Sequence, residues 1–192
     1  MKVVITGHTR GIGKAIAEVF SNNNFEIIGF SKSAGYDISD QSVRQQILNA
    51  SVDADVFINN AYDHVGQTEL LKGIIEQWEG TDKFIVNMSS KLVFFPGDPA
   101  AFGEFFETYI EDKKLQNKII SDRHHIALPM LLNVMPGLVE TEMAGVFDAK
   151  KLEPSAVANT IFNLYKSKDS IAVQEIIVDV PGLNWENIKI NL

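Results

Sequence analysis

A glycine-rich turn follows the first apolar run of the chain. In Val3-Val4-Ile5-Thr6-Gly7-His8-Thr9-Arg10-Gly11-Ile12-Gly13, three glycines stand directly after a β-branched segment and directly before a stretch of helical period. Ile12, Ala15, Ile16, Val19 and Phe20 fall at i, i+3, i+4, i+7 and i+8, one stripe of an amphipathic helix that starts at the glycines. Gly7 permits a tight turn, Gly11 lets a pyrophosphate approach the backbone, and Gly13 lets helix and strand pack closely. The unpaired N–H groups and partial positive charge of the helix start then attract phosphate. Residues Gly7, Thr9, Arg10, Gly11, Ile12 and Gly13 are therefore expected to hold a dinucleotide.

The rest of the chain repeats the alternation. Lys2–Thr6, Phe25–Phe30, Asp55–Asn59, Lys83–Met88, Met130–Met135 and Val173–Val178 are short, near-continuously apolar runs, as strands buried on both faces should be, and Tyr36–Ile38 is a candidate seventh. Between them lie helical segments: one from the glycines, one near Thr68–Trp78, one over residues 103–122, and one opening with Pro154 that carries Val157, Ile161, Leu164 and Tyr165. In the segment 103–122, Phe102, Phe105, Phe106, Tyr109, Ile110 and Lys113 share a face. The order predicts an α/β fold with a parallel sheet of six to seven strands and helices on both faces.

Composition removes several function classes. With 192 residues, 45% of them hydrophobic, the chain can bury a full core, and a single domain over 1–192 is expected. It has no Cys, so a thiolate zinc site and a cysteine nucleophile are both ruled out, and a reducing compartment is the natural home. His8, His64, His124 and His125 lack metal-ligand spacing, so no metal is expected. The start MKVVITG reads as neither a secretory signal nor a membrane span, which predicts a cytoplasmic protein without a membrane partner. The net charge of -8 argues against a nucleic-acid partner. Leu183–Leu192 is a short tail without an assigned role.

Taken as a set, the motifs resemble those of the short-chain dehydrogenase/reductase family, from residue 2 to about residue 180. Thr6-Gly7-His8-Thr9-Arg10-Gly11-Ile12-Gly13 is similar to the family's TGxxxGxG, and Asn59-Asn60-Ala61 to its NNAG, with Tyr62 in place of the Gly. Asp37-Ile38-Ser39-Asp40 resembles the segment that meets the adenine ring. Met135-Pro136-Gly137-Leu138-Val139-Glu140-Thr141 resembles the PGxVxT loop beside the nicotinamide, and Gln174–Asp179 the last strand. The resemblance implies a Rossmann-type doubly wound sheet and adds Asp37, Ile38, Asn60, Ala61, Pro136, Gly137, Val139 and Thr141 to the cofactor-binding set. It also implies a homodimer or homotetramer, with the helix 103–122 paired across a dimer axis.

Ser31 stands at the position after the second strand where an acidic residue commonly holds an unphosphorylated ribose, and Lys32 follows it. With Arg10 in the glycine turn, these residues predict NADP(H) over NAD(H).

Hydride transfer to a carbonyl needs a proton donor for the oxygen, and a tyrosine whose acidity is raised by an ammonium can serve. Tyr109 and Lys113 lie four residues apart on one helical face, with Lys113 on an otherwise apolar stripe. By resemblance, Tyr109 and Lys113 are the YxxxK pair, the lysine also bonding the nicotinamide ribose, and Ser90 is the catalytic serine, with Ser89 the fallback. The reading is an NADPH-dependent oxidoreductase acting on a small carbonyl or alcohol; a catalytically weak or inactive NADP(H)-binding regulator is the alternative.

Three departures from the family pattern stand out. The helix near Thr68–Trp78 has no Asn to hold the family's proton-relay water, and Gln67 is the nearest substitute. Few residues separate Lys32 from Asp37, which leaves no room for the usual helix after the second strand. From Thr141 to Pro154 there is little room for substrate-covering helices, which predicts an open substrate cleft.

Overall fold

The computed structural model describes the chain except Pro96, Pro99, Ala101, Phe102, Glu186, Asn187, Asn191 and Leu192. The expectations that fall on Phe102 and on the two prolines lie outside the described residues. Element order is β1 (Lys2–Thr6), α1 (Gly11–Asn22), β2 (Glu26–Phe30), α2 (Gln41–Ala50), β3 (Val56–Asn59), α3 (Gly66–Gln77), β4 (Phe84–Met88), α4 (Glu104–Ser121), β5 (Met130–Pro136), β6 (Phe147–Asp148), α5 (Pro154–Lys166), β7 (Glu175–Val178) and β8 (Lys189–Ile190). Six strands form one parallel sheet in the order β2-β1-β3-β4-β5-β7, and β6 pairs antiparallel with β8 apart from it.

Side chains that alternate along the strands build a core on each face of the sheet. Val3, Ile5, Val56, Ile58, Val86, Leu132 and Val134 meet α1 and α5 through Ile16, Phe20, Val157 and Ile161. Val4, Phe57 and Ile85 meet α2 and α3 through Val43, Ile47, Leu70, Leu71 and Ile74. Both faces are covered, which is why the strands carry continuous apolar runs.

Two local expectations are corrected. Tyr36–Ile38 is not a strand, so the sheet has six: Lys32–Ala34 turns through a short 3-10 segment, Tyr36 packs edge-on to Phe30 at 4.9 Å, and β2 becomes the sheet edge. The helix α2 was not anticipated. Its signals are Asp40, whose carboxylate accepts from Ser42 N at 2.7 Å, and the buried pair Val43 and Ile47 four apart. The stripe on α4 also breaks at Phe105, which is 52% exposed while Phe106, Tyr109, Ile110 and Lys113 are buried.

Candidate active site

β2 and β3 leave β1 on opposite sides, so the chain order reverses at the C-terminal end of β1, where open α/β sheets form ligand crevices. Gly7 and Gly11 occupy that end with φ of 73° and 55°, values that disfavour any residue with a Cβ. A Cβ on Gly13 would stand 2.1 Å from the Gly7 carbonyl, which shows how closely helix and strand approach. Asn60 and Ala61 fasten this turn: Asn60 Nδ2 donates to the Thr6 carbonyl at 3.0 Å, and Thr6 Oγ1 accepts from the N–H groups of both residues. Tyr62 replaces the expected Gly without strain, because Asn24 alone among the described non-glycine residues has a positive φ.

The first turn of α1 contains no acidic residue, and its N-cap Arg10 makes no side-chain capping bond. His8 Nδ1 is buried nearby without a hydrogen-bond partner. The uncapped start of this helix suits the pyrophosphate of a dinucleotide, whereas the His8 ring packs against Gly29 of β2.

At the end of β2, Thr9 Oγ1 and Ser31 Oγ each lie within 3.2 Å of Ser33 Oγ, a hydroxyl group of three in which Ser33 was not foreseen. The two expected cations are both engaged. Lys32 Nζ is 2.6 Å from Asp37 and Arg10 pairs with Glu142. The Lys32 ammonium beside it holds the Asp37 carboxyl well below the usual carboxylate range, and the Ser39 N–H adds to the effect. Ile38 is buried, its carbonyl capped by Arg44 at 2.7 Å.

After β5, Gly137 N donates to the Val178 carbonyl at 2.8 Å, and Val139 bridges to Leu152. The Thr141 methyl would be 3.1 Å from a Cβ on Gly11, so the loop Pro136–Thr141 and the glycine turn meet across the crevice.

Ser89 and Ser90 follow β4 and point apart. Ser89 Oγ donates to Asn117 Oδ1 at 2.6 Å, whereas Ser90 Oγ accepts from Leu92 N at 3.2 Å and acts on the Tyr109 phenol. Tyr109 and Lys113 are 8% and 2% exposed. Burial pushes the Tyr109 phenol up to about 12, with Ser90 pulling in the opposite direction, so the lowering expected from Lys113 is not found. The physical reason lies in the lysine itself: burial brings its ammonium down to about 7, with only Asp112 opposing. Its Nζ donates to Gln67 Oε1 and to the Met88 carbonyl, and it lies 5.3 Å from the ring centres of both Tyr62 and Tyr109.

Gln67 is fixed from several sides. Its Nε2 donates to the carbonyls of Asn59 and Met88, and its own carbonyl accepts from Asn59 Nδ2. Asn59, Asn87 and Asn133 stand in register on β3, β4 and β5, fully buried, each bonding the next at 3.1 Å. The signal was present in the sequence as one Asn in each of three apolar runs. Strand prediction reads such residues as interruptions, because their pairing depends on register.

A second unforeseen group surrounds Asp112. This carboxylate, 7% exposed, accepts from Tyr62 Oη at 2.9 Å and lies 2.8 Å from His64 Nδ1. Asp112 raises the His64 pKa, and burial followed by Asp112 pushes Tyr62 up. The Tyr62 ring rests edge-on to Tyr109 at 4.7 Å.

The expected open substrate cleft is also corrected. Although no α-helix lies between Thr141 and Pro154, β8 pairs with β6, and Trp185 and Ile188 pack on the cluster of Leu92, Phe106, Tyr109, Leu138 and Phe147. No described helix is long and apolar enough to cross a membrane.

Among solved structures the chain is similar to a 3-alpha-hydroxysteroid dehydrogenase from Pseudomonas sp. B-0831 complexed with NADH. The TM-score is 0.74 at 21% identity, covering 93% of this chain and 95% of that one. This is the short-chain dehydrogenase/reductase fold. A 3-ketoacyl-(acyl-carrier-protein) reductase from Brucella melitensis complexed with NADH shares it at TM-score 0.72 and 16% identity, covering 93% and 96% of the two chains. So does an alcohol dehydrogenase from the archaeon Thermococcus sibiricus complexed with 5-hydroxy-NADP, at TM-score 0.70 and 17% identity, covering 92% and 95%. No protein-family model matches the chain, and neither does any curated protein.

Proposed function

We propose that the protein is an oxidoreductase of the short-chain dehydrogenase/reductase family that interconverts a small carbonyl compound and its alcohol with NADP(H). The observation that carries this reading is that Ser90 follows β4 while the buried Tyr109 and Lys113 stand together on α4, with Lys113 Nζ 5.3 Å from the Tyr109 ring centre and bonded to the Met88 carbonyl at the end of β4. Gly7, Gly11, Gly13 and the first turn of α1 hold the pyrophosphate, Thr9, Ser31 and Lys32 surround the adenosine ribose, and Pro136–Thr141 borders the nicotinamide. The bound nicotinamide supplies the hydride. Ser90 orients the substrate oxygen, Tyr109 Oη gives it a proton, and the ammonium of Lys113 stabilises the phenolate left behind. Gln67 and the Met88 carbonyl orient that ammonium.

Tyr109→Phe removes the donor and leaves the ring packing intact. Carbonyl-dependent NADPH oxidation is expected to fall at least about a hundredfold while the NADPH dissociation constant stays within about threefold. An equally fast Phe variant would exclude the mechanism.

One arrangement favours the second reading, an NADP(H)-binding regulator: Lys113 Nζ is taken up by Gln67 Oε1 and the Met88 carbonyl, and burial pushes the Tyr109 phenol up instead of down. Under that reading wild type and the Phe variant bind NADPH alike and neither consumes it with any carbonyl compound.

A further inference from the structure

At the end of the sheet opposite the glycine turn, a cavity of about 470 Å³ opens among the starts of β4 and β5, the residues before β7, and the chain that follows α4 and α5. Phe84 and Met130 open β4 and β5, whose other ends lead to Ser90 and Gly137, so the length of the strands separates this cavity from the cofactor crevice. Its volume is that of a small-molecule site. The walls are aliphatic: Ile120 and Leu164 come from the two helices, and Ile126, Leu128 and Val173 from the loops. Phe84 is the one phenyl ring among the lining residues and is 4% exposed. Such walls reward a flexible chain through apolar burial and offer a flat ring little to stack on.

The polar groups of the cavity are unevenly committed. Helix C-termini carry partial negative charge, but their last carbonyls are occupied here. Those of Ile120 and Ser121 accept from Arg123 N and His124 N at 2.9 and 3.2 Å, and those of Leu164 and Tyr165 from Ser167 N and Lys168 N at 3.1 and 3.2 Å. Lys168 pairs with Asp169 at 2.7 Å and Asp82 acts on it as well, so that corner has no cation to spare. Glu175 accepts from Asn133 at 3.3 Å and lies 4.0 Å from His124. Arg123 differs from all of these. Its side chain is 23% exposed, its Nη2 donates to Glu79 at 3.2 Å, and its buried Nε has no hydrogen-bond partner. A guanidinium has five N–H donors in a planar fork, and a buried donor left unpaired is costly. A carboxylate is the acceptor whose two oxygens fit that fork.

We propose that this cavity binds an aliphatic monocarboxylate of medium chain length, its carboxylate on Nε and an Nη of Arg123 and its chain along Ile126, Leu128, Leu164 and Val173. The site is independent of the oxidoreductase reading above, and its detection requires no turnover.

Acetate, octanoate, decanoate and decanol are titrated into the full chain by calorimetry, with and without saturating NADPH, and amide NMR shifts are recorded in parallel. Decanoate should bind saturably, about tenfold more tightly than octanoate, and acetate should not bind. The shifted amides should be those of residues 123–128 and 171–174. NADPH should leave the dissociation constant within about threefold, because the two sites lie at opposite strand ends. Arg123→Gln should weaken decanoate at least about tenfold and decanol by less than about threefold, whereas Lys168→Gln should change neither. If Arg123→Gln does not fold, Ala172→Phe, which brings a ring into the cavity from an exposed position, should abolish decanoate binding. Equal affinity of the wild type for decanol and decanoate, or loss of decanoate binding when NADPH is added, overturns the proposal. Self-association of the chain that decanoate reverses would assign the cavity to a second copy and overturn it as well.

Discussion

Gln67 accepts a hydrogen bond from the buried ammonium of Lys113, and the same side chain ties β3 to β4 through the carbonyls of Asn59 and Met88. One amide therefore links the lysine of the site to the sheet. Through it the lysine is joined to the buried Asn59-Asn87-Asn133 ladder, whose first member, Asn59, bonds Gln67.

Replacing Gln67 by Leu leaves the carbonyls of Asn59 and Met88 and the Lys113 ammonium short of partners. Stability should fall by about 2–4 kcal/mol, read as a lower urea midpoint at unchanged m-value. Turnover should fall about tenfold with the NADPH dissociation constant within about threefold. If kcat survives in the folded variant, Gln67 orients nothing that matters to the reaction.

Burial and Asp112 act in opposite directions on the charge of Lys113, and burial is the larger effect. Burial lowers Lys113 to about 7 and Asp112 opposes that shift, so the ammonium exists below about 7 and is lost as pH rises through that value. The rate of carbonyl reduction, kcat/KM, should therefore decline on the alkaline side of neutrality. Asp112→Asn removes the opposing charge, and the descending limb should move to lower pH, by about half a unit or more. A limb that stays in place would mean that another group titrates there.

The two cations near the adenosine side each hold a carboxylate, which a 2′-phosphate has to displace. Glu142→Gln releases Arg10 and should tighten NADPH binding about threefold or more while NADH changes little; the gain should shrink at high salt. Parallel titrations of both cofactors measure it. Equal changes for NADPH and NADH would mean that Arg10 does not meet the 2′-phosphate.

The legible parts of the site were local ones. Gly7, Gly11 and Gly13 reveal themselves because a strand, a tight turn and a helix follow within a few residues, and Tyr109 and Lys113 because a helix places i and i+4 on one face. Asp112 was hidden between them, since its partners Tyr62 and His64 come from a loop some fifty residues earlier. The helix α2 was hidden for a different reason: only Val43 and Ile47 are buried on a segment rich in polar residues, which makes a weak periodic signal. Trp185 and its clamp on Asp179 and Lys91 had no local signature at all.

The sequence by itself determined a parallel α/β sheet and a phosphate-binding turn, because alternating burial and glycine conformation are properties of neighbours along the chain. Only the tertiary structure decided that the cations near the crevice are already paired, that Gln67 takes up Lys113, and that the C-terminal segment covers the site. Those outcomes depend on which charges and amides meet across distant loops, and burial there changes the strength of every electrostatic contact.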